Sequence, residues 1–239
     1  MNTDTIIQTE GLTREYPMGR TVLRALNDVT VSFKFGEFAG VVGPSGSGKT
    51  TFLNIIGTLD LPTRGVCTVL GSRVAELSNK AAAQIRTNEI GFIFQTFNLL
   101  PVYTVFENIE FPLLLLGKTK QERKNMVYEA LEWVGLQDRA ESRPGELSGG
   151  ESQRVAIARA IVKKPRIVLA DEPTANLDAE NSHNIMRTMK KLNREMGITF
   201  IFSTHDEKVM KYLDREITLN DGRLADDRRI SASERGGMA

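Results

Sequence analysis

Cysteine is almost missing from this sequence: Cys67 is the single one in 239 residues. One thiol excludes an intrachain disulfide and a zinc site built from several cysteines, and it points to a reducing compartment. A surplus of charge is missing too, since 31 Lys and Arg against 30 Asp and Glu leave a formal net charge of +1. So neutral a chain lacks the field that draws proteins to nucleic acid or anionic lipid. Long apolar runs are also lacking; the longest resemble Leu113-Leu114-Leu115-Leu116, whereas a spanning helix needs about 20 such residues. Met1-Asn2-Thr3-Asp4-Thr5 has neither the basic nor the apolar region of a secretory signal. No solenoid-like repeat and no low-complexity block interrupts the chain. The expectation is a cytoplasmic chain whose 41% apolar residues suffice for one sizeable core.

Local patterns predict an α/β organisation. Residues 6–9 and 29–35 are short β-rich runs separated by turn residues such as Gly11, Pro17-Met18-Gly19 and Gly36, which reads as an antiparallel sheet. Residues 38–43 form a buried strand leading into a Gly/Ser-rich loop and a helix over 49–56. Residues 167–170 and 198–202 are β-branched on both faces, as buried parallel strands are. Thr119-x-x-Glu122 is a capping box; Val127, Ala130, Leu131 and Val134 follow at helical spacing, and Gly135 suits the stop. Ile185, Met189, Leu192 and Met196 form a second stripe, closed by Gly197. Both stripes, and Trp133 beside the first, read as core packing. Asp221-Gly222 predicts a late hairpin, and the tail from Asp226 reads as frayed. Residues 96–160 are mostly helical. The division expected is a nucleotide-binding core over 1–95 and 161–239, with a helical subdomain over 96–160.

The chemistry begins at Gly43-Pro44-Ser45-Gly46-Ser47-Gly48-Lys49-Thr50, which matches the Walker A pattern between a strand and a helix. Glycines let backbone N–H groups turn inward and cradle phosphate oxygens, and the following helix points its positive end at the same anion. Lys49 supplies a mobile cation for the β and γ phosphates, and the Thr50 hydroxyl can ligate Mg²⁺. Thr51 is grouped with the loop. Ile167-Val168-Leu169-Ala170-Asp171-Glu172 has the Walker B form: Asp171 as the metal's second anchor and Glu172 as a general base for water.

Leu147-Ser148-Gly149-Gly150-Glu151, followed by Ser152-Gln153-Arg154-Val155-Ala156, resembles the signature motif of ATP-binding cassette (ABC) ATPases. Ser-Gly-Gly opening a helix is itself a second anion site, with free N–H groups, a hydroxyl and a helix dipole. The resemblance implies that two cassettes dimerise head to tail, the signature of one closing over the ATP of the other, so Ser148, Gly149, Gly150 and Glu151 join the nucleotide set. It further implies a P-loop NTPase fold with a RecA-like mixed-sheet core, an N-terminal antiparallel β subdomain and a helical subdomain. Gln95, after residues 90–94, resembles the Q-loop residue that touches Mg²⁺ and the water. Asp178, in Ala175-Asn176-Leu177-Asp178, resembles the D-loop residue at the dimer interface. His205 resembles the switch histidine at the γ-phosphate, and Tyr16 the aromatic that stacks on adenine. His183 lies on the polar side of its helix without a role.

A narrower resemblance rests on Asn54-Ile55-Ile56-Gly57-Thr58-Leu59-Asp60, on Phe94-Gln95-Thr96-Phe97-Asn98-Leu99-Leu100-Pro101 and on Asp171-Glu172-Pro173-Thr174-Ala175-Asn176-Leu177-Asp178. These are similar to the lipoprotein-releasing, macrolide-export and cell-division branch. It implies permeases with few membrane helices and a large extracytoplasmic domain, and a peripheral place on the cytoplasmic face of the inner membrane reached only through the permease. The apolar stretch 97–105 reads either as permease-docking surface or as core. Two alternatives stand beside this reading. One is a soluble ABC ATPase of repair or translation, which expects two cassettes or a coiled-coil insert; the other is the ATPase of a conventional importer or exporter.

Overall fold

In the computed structural model of the chain, the residues described are 4–231. The readings placed on residues 1–3 and on the end of the tail lie outside them. Strands β1 (Thr5–Met18) and β2 (Thr21–Lys34) form a long antiparallel hairpin, far beyond the short runs 6–9 and 29–35. Gly11 is a correction. It does not end a strand but sits inside β1 at φ +59°, where the register shifts between Thr9 and Leu12; a residue free to adopt positive φ lets the strand bulge without breaking. Residues 64–89 add β4 (Arg64–Val69), β5 (Ser72–Arg73) and α2 (Asn79–Glu89). The first sheet runs β2-β1-β4-β5.

The second sheet has the order β10-β9-β3-β8-β7-β6. Its centre is parallel: β6 (Ile90–Ile93), β7 (Ile167–Asp171), β8 (Thr199–Thr204), β3 (Phe38–Val42) and β9 (Arg215–Asn220). The expected hairpin joins β9 to antiparallel β10 (Arg223–Arg229) across Asp221 and Gly222, both at positive φ. The frayed tail is therefore corrected as far as Arg229, because pairing and the Arg228–Glu216 bond of 2.6 Å hold it.

Both faces of this sheet are covered, which explains its continuous apolar strands. On one face Ala39, Val41, Leu169 and Ile201 pack under α1 (Lys49–Ile56), whose Phe52 and Ile56 also meet Ile7 and Phe33 of the first sheet. On the other, Phe38, Val168, Phe200 and Phe202 meet α3 (Val105–Leu115), α4 (Lys120–Val134), α5 (Gly149–Ile161) and α6 (Ala179–Met196). Segment 96–160 thus shares a continuous core with the sheet. The Thr119–Glu122 capping box and the Gly135 stop form as read. Trp133 and Met196 are partly buried against that core, and Cys67 lies buried in the other. A short α7 (Glu207–Met210) follows β8. No helix among the described residues is long and apolar enough to cross a membrane.

Candidate active site

The parallel strands all point the same way, so their carboxyl ends line one edge, where open α/β sheets bind ligands. The phosphate loop follows β3, Asp171 ends β7, His205 follows β8, and Gln95 stands two residues past β6, which stops at Ile93. The edge carries a cleft of about 480 Å³ lined by Tyr16, Ser45, Gly46, Gly48, Lys49, Thr50, Thr51, Gln95, Asp171, Glu172 and His205. These residues come from five separated stretches of sequence.

Within the loop, Gly43 and Gly48 stand at φ +148° and +100°, and a Cβ at either would lie 2.2 Å from the Leu219 carbonyl or 2.4 Å from that of Ala25. Only glycine meets both the dihedral and the space. Lys49, buried at 6% exposure, donates to the Gly43 and Pro44 carbonyls at 2.8 and 2.9 Å. Its ammonium is therefore held across the loop that α1 extends. Ser47 Oγ is buried without a partner among the described residues, an unmet hydroxyl of the kind a phosphate oxygen satisfies.

Thr50 donates its hydroxyl to Asp171, with Oδ2 at 3.1 Å and Oδ1 at 3.2 Å. A hydroxyl beside a carboxylate fits Mg²⁺, which takes few protein oxygens and completes its shell with phosphates and water. No cluster of three metal-ligating His, Cys, Asp or Glu occurs among the described residues. Glu172 adopts φ +46°, held there by its N–H donating to the Ser203 carbonyl at 2.9 Å. Its Oε1 lies 2.6 Å from His205 Nδ1, a bond that places a proton on Nδ1 when the carboxylate is ionised.

Ser148, Gly149, Gly150, Glu151 and Asp178 do not line this cleft. Ser148 caps α5, donating to Glu151 Oε2 at 2.8 Å and accepting from the Glu151 N–H at 3.2 Å. The Ser148 backbone N–H, which donates to the same Oε2 at 2.9 Å, and with it the Ser148 hydroxyl hold the Glu151 carboxyl below its usual range. Asp178 is the N-cap of α6, both oxygens engaged by Asn181 at 2.8 and 2.7 Å, which likewise lowers its carboxyl.

The ABC transporter family matches residues 26–175. The uncharacterised ABC transporter ATP-binding protein YvrO of Bacillus subtilis (strain 168) is 45% identical, over 91% of this chain and 95% of its own. A dimeric post-hydrolysis structure of the ATP-binding cassette MJ0796 with ADP and Pi is 40% identical. It has a TM-score of 0.87 and is covered over 99%, against 95% of this chain. Structure cbiO1 from Clostridium perfringens, part of the transporter complex cbiONQ, is 28% identical with a TM-score of 0.85, covering 95% of this chain and 89% of its own. The chain belongs to the ABC transporter family. It is the ATP-binding subunit, an ATPase that takes ATP with Mg²⁺.

In this cassette the stretch 97–105 is neither all surface nor all core. Val105 is buried, Phe97, Leu99 and Leu100 are half-buried, and Val102 is 73% exposed. Phe97 and Asn98 both stand at positive φ, their carbonyls capped by Arg159 of α5 at 2.7 and 2.6 Å. Beside them an apolar groove of about 420 Å³ is lined by Phe94, Leu100, Phe111, Leu115 and Leu59, with Lys163 and Arg159. Sequence reasoning missed the α3 share of this groove and missed Leu23 and Ala25 in the nucleotide cleft. The latter enter by pairing β2 beside Tyr16, which no motif encodes. His183, left without a role, bonds Tyr212 at 2.7 Å.

Proposed function

We propose that this ABC transporter ATPase works as a head-to-tail pair of copies around two ATP–Mg²⁺, driving a permease of the lipoprotein-release and macrolide-export type. One observation carries the paired reading. The two anion sites of one chain do not meet: the phosphate loop and Asp171 share a cleft that Ser148, Gly149 and Gly150 do not enter. A second copy supplies the missing signature; that the MJ0796 cassette is dimeric with ADP and Pi bound supports the pairing.

In this reading Lys49 and the loop N–H groups bind the β and γ phosphates, and Thr50, Asp171 and Gln95 hold Mg²⁺, which when bound neutralises phosphate charge. Glu172 takes the proton of the attacking water, and His205 orients that carboxylate in exchange with the γ-phosphate. Tyr16 stacks on adenine. Residues 96–160 act as the helical arm that carries the signature toward the other copy, with Asp178 beside the same interface. The apolar groove receives a cytoplasmic helix of the permease, so membrane association comes through that partner. The segments 54–60 and 94–101 support the branch. The likeness to cbiO1, part of a transporter complex, equally suits a conventional importer or exporter. A neighbouring reading frame with about four membrane spans and a large extracytoplasmic domain separates the two.

Ser148→Arg tests the composite site. The isolated chain is expected to bind ATP within about twofold of the parent, whereas hydrolysis falls by about 10²-fold or more, the scale of a lost transition-state donor. A variant that turns over ATP normally, or that loses ATP affinity as an isolated chain, rules the paired arrangement out.

A further inference from the structure

Asp60 ends the segment Asn54-Ile55-Ile56-Gly57-Thr58-Leu59-Asp60, and it lines no part of the nucleotide cleft. Its backbone is tied to the end of the phosphate-loop helix: the Asp60 N–H donates to the Asn54 carbonyl at 3.2 Å, and that of Leu59 does so at 2.8 Å. Its carboxylate is fully engaged. Arg14 donates Nε to Oδ2 at 2.9 Å and Nη2 to Oδ1 at 2.7 Å. The Leu61 N–H donates to Oδ1 at 2.8 Å, and the Tyr16 hydroxyl donates to Oδ2 at 2.7 Å. The Arg14 guanidinium carbon also sits over the Tyr16 ring, 4.5 Å from its centroid. Arg14 and Asp60 line a neighbouring groove while Tyr16 lines the cleft, so the guanidinium covers the ring from outside the nucleotide site.

We propose that Asp60 is a positioning residue for the adenine base, holding Tyr16 by its hydroxyl and, through Arg14, by its ring face. The proposal rests on the reading of Tyr16 as the adenine platform. A tyrosine projecting from a hairpin has free rotamers to lose on stacking. A ring already clamped at hydroxyl and face has lost them beforehand, and preorganisation of that kind appears as affinity. The clamp also sets the distance between the two ends of the nucleotide. The helix that presents its N-terminus to the phosphates carries, just past its C-terminus, the carboxylate that fixes the base platform.

The test compares Mg²⁺-dependent binding of ATP and of inorganic triphosphate, which lacks the base, to the full chain by calorimetry. Asp60→Ala is expected to weaken ATP about fivefold and to leave triphosphate within about twofold, a fraction of what base stacking on an aromatic contributes. Tyr16→Phe, which keeps the ring and removes only the hydroxyl, is expected to weaken ATP about threefold, again without effect on triphosphate. On a Tyr16→Ala background Asp60→Ala should add nothing. Equal losses for ATP and triphosphate, an unchanged ATP affinity, or a further loss on the Tyr16→Ala background would each overturn the positioning role. A Tyr16→Ala chain that prefers ATP over triphosphate as the parent does would instead remove the platform itself.

Discussion

Glu172 combines two unfavourable conditions in one residue. A non-glycine side chain in the left-handed region costs about 1–3 kcal/mol, and here it stands at φ +46° one residue past the end of a buried strand. The bond from its N–H to the Ser203 carbonyl, 2.9 Å long, and the neighbouring pairing of Asp171 with Ser203 hold the conformation. The result is a carboxylate turned to His205 at the mouth of the cleft rather than along the sheet. Glu172→Gln keeps shape and dihedral while removing the proton acceptor. It is expected to bind ATP normally and to hydrolyse it about 10²–10⁴-fold more slowly in a single-turnover assay, the usual range for a lost general base. Near-normal turnover would take Glu172 out of the chemistry.

Helix α5 joins three places that the chain keeps far apart. Its N-terminus is the capped Ser148–Glu151 turn, its flank holds the two left-handed carbonyls of Phe97 and Asn98 through Arg159, and Lys163, just past its end, donates to the Arg86 carbonyl. One helix therefore contacts both the lining of the groove and the Ser148–Glu151 turn. Burial pushes the Lys163 ammonium down to about 8 from 10.5, the direction expected of a desolvated cation. With the folded value depressed, the unfolded chain binds more protons between pH 8 and 10.5. Stability from this group therefore rises with pH through that window, and the full cost is present below it. Lys163→Met is expected to stabilise the cassette at pH 7 by on the order of 1–2 kcal/mol, after the lost bond to Arg86 is set against it. Thermal unfolding at pH 7 and pH 10 checks this; an advantage that does not shrink at the higher pH contradicts it.

At the scale of the molecule, nucleotide cleft and apolar groove lie on either side of the loop 94–103, so one segment touches both. In the groove Phe111 is 44% and Leu115 64% exposed, on a helix capped at Thr104 and anchored by buried Val105, Ile109 and Leu113. Phe111→Asp alters the exposed face of that helix only. It is expected to abolish stimulation of ATP hydrolysis by permease-bearing membranes, measured against the same protein in solution. Retained stimulation would place the permease elsewhere.

The chemistry of this protein was legible in its sequence wherever one local segment performs a whole task. A phosphate loop needs backbone freedom, a cation and a helix end within eight residues, so Gly43 to Thr50 announce it, and the capping box at Thr119 is equally self-contained. Buried strands were legible because both faces must be apolar. Tertiary structure alone decided what depends on neighbours distant in sequence. Such are the bulge at Gly11, the pairing that keeps β10 ordered, the groove shared by Phe94 and Phe111, and the clamp of Asp60 on Tyr16. These rest on strand register and on carboxylate partners 44 residues apart, for which no local periodicity exists. The near absence of cysteine and of net charge likewise changes meaning, because in the paired arrangement proposed above a subunit completed by packing against other chains needs neither.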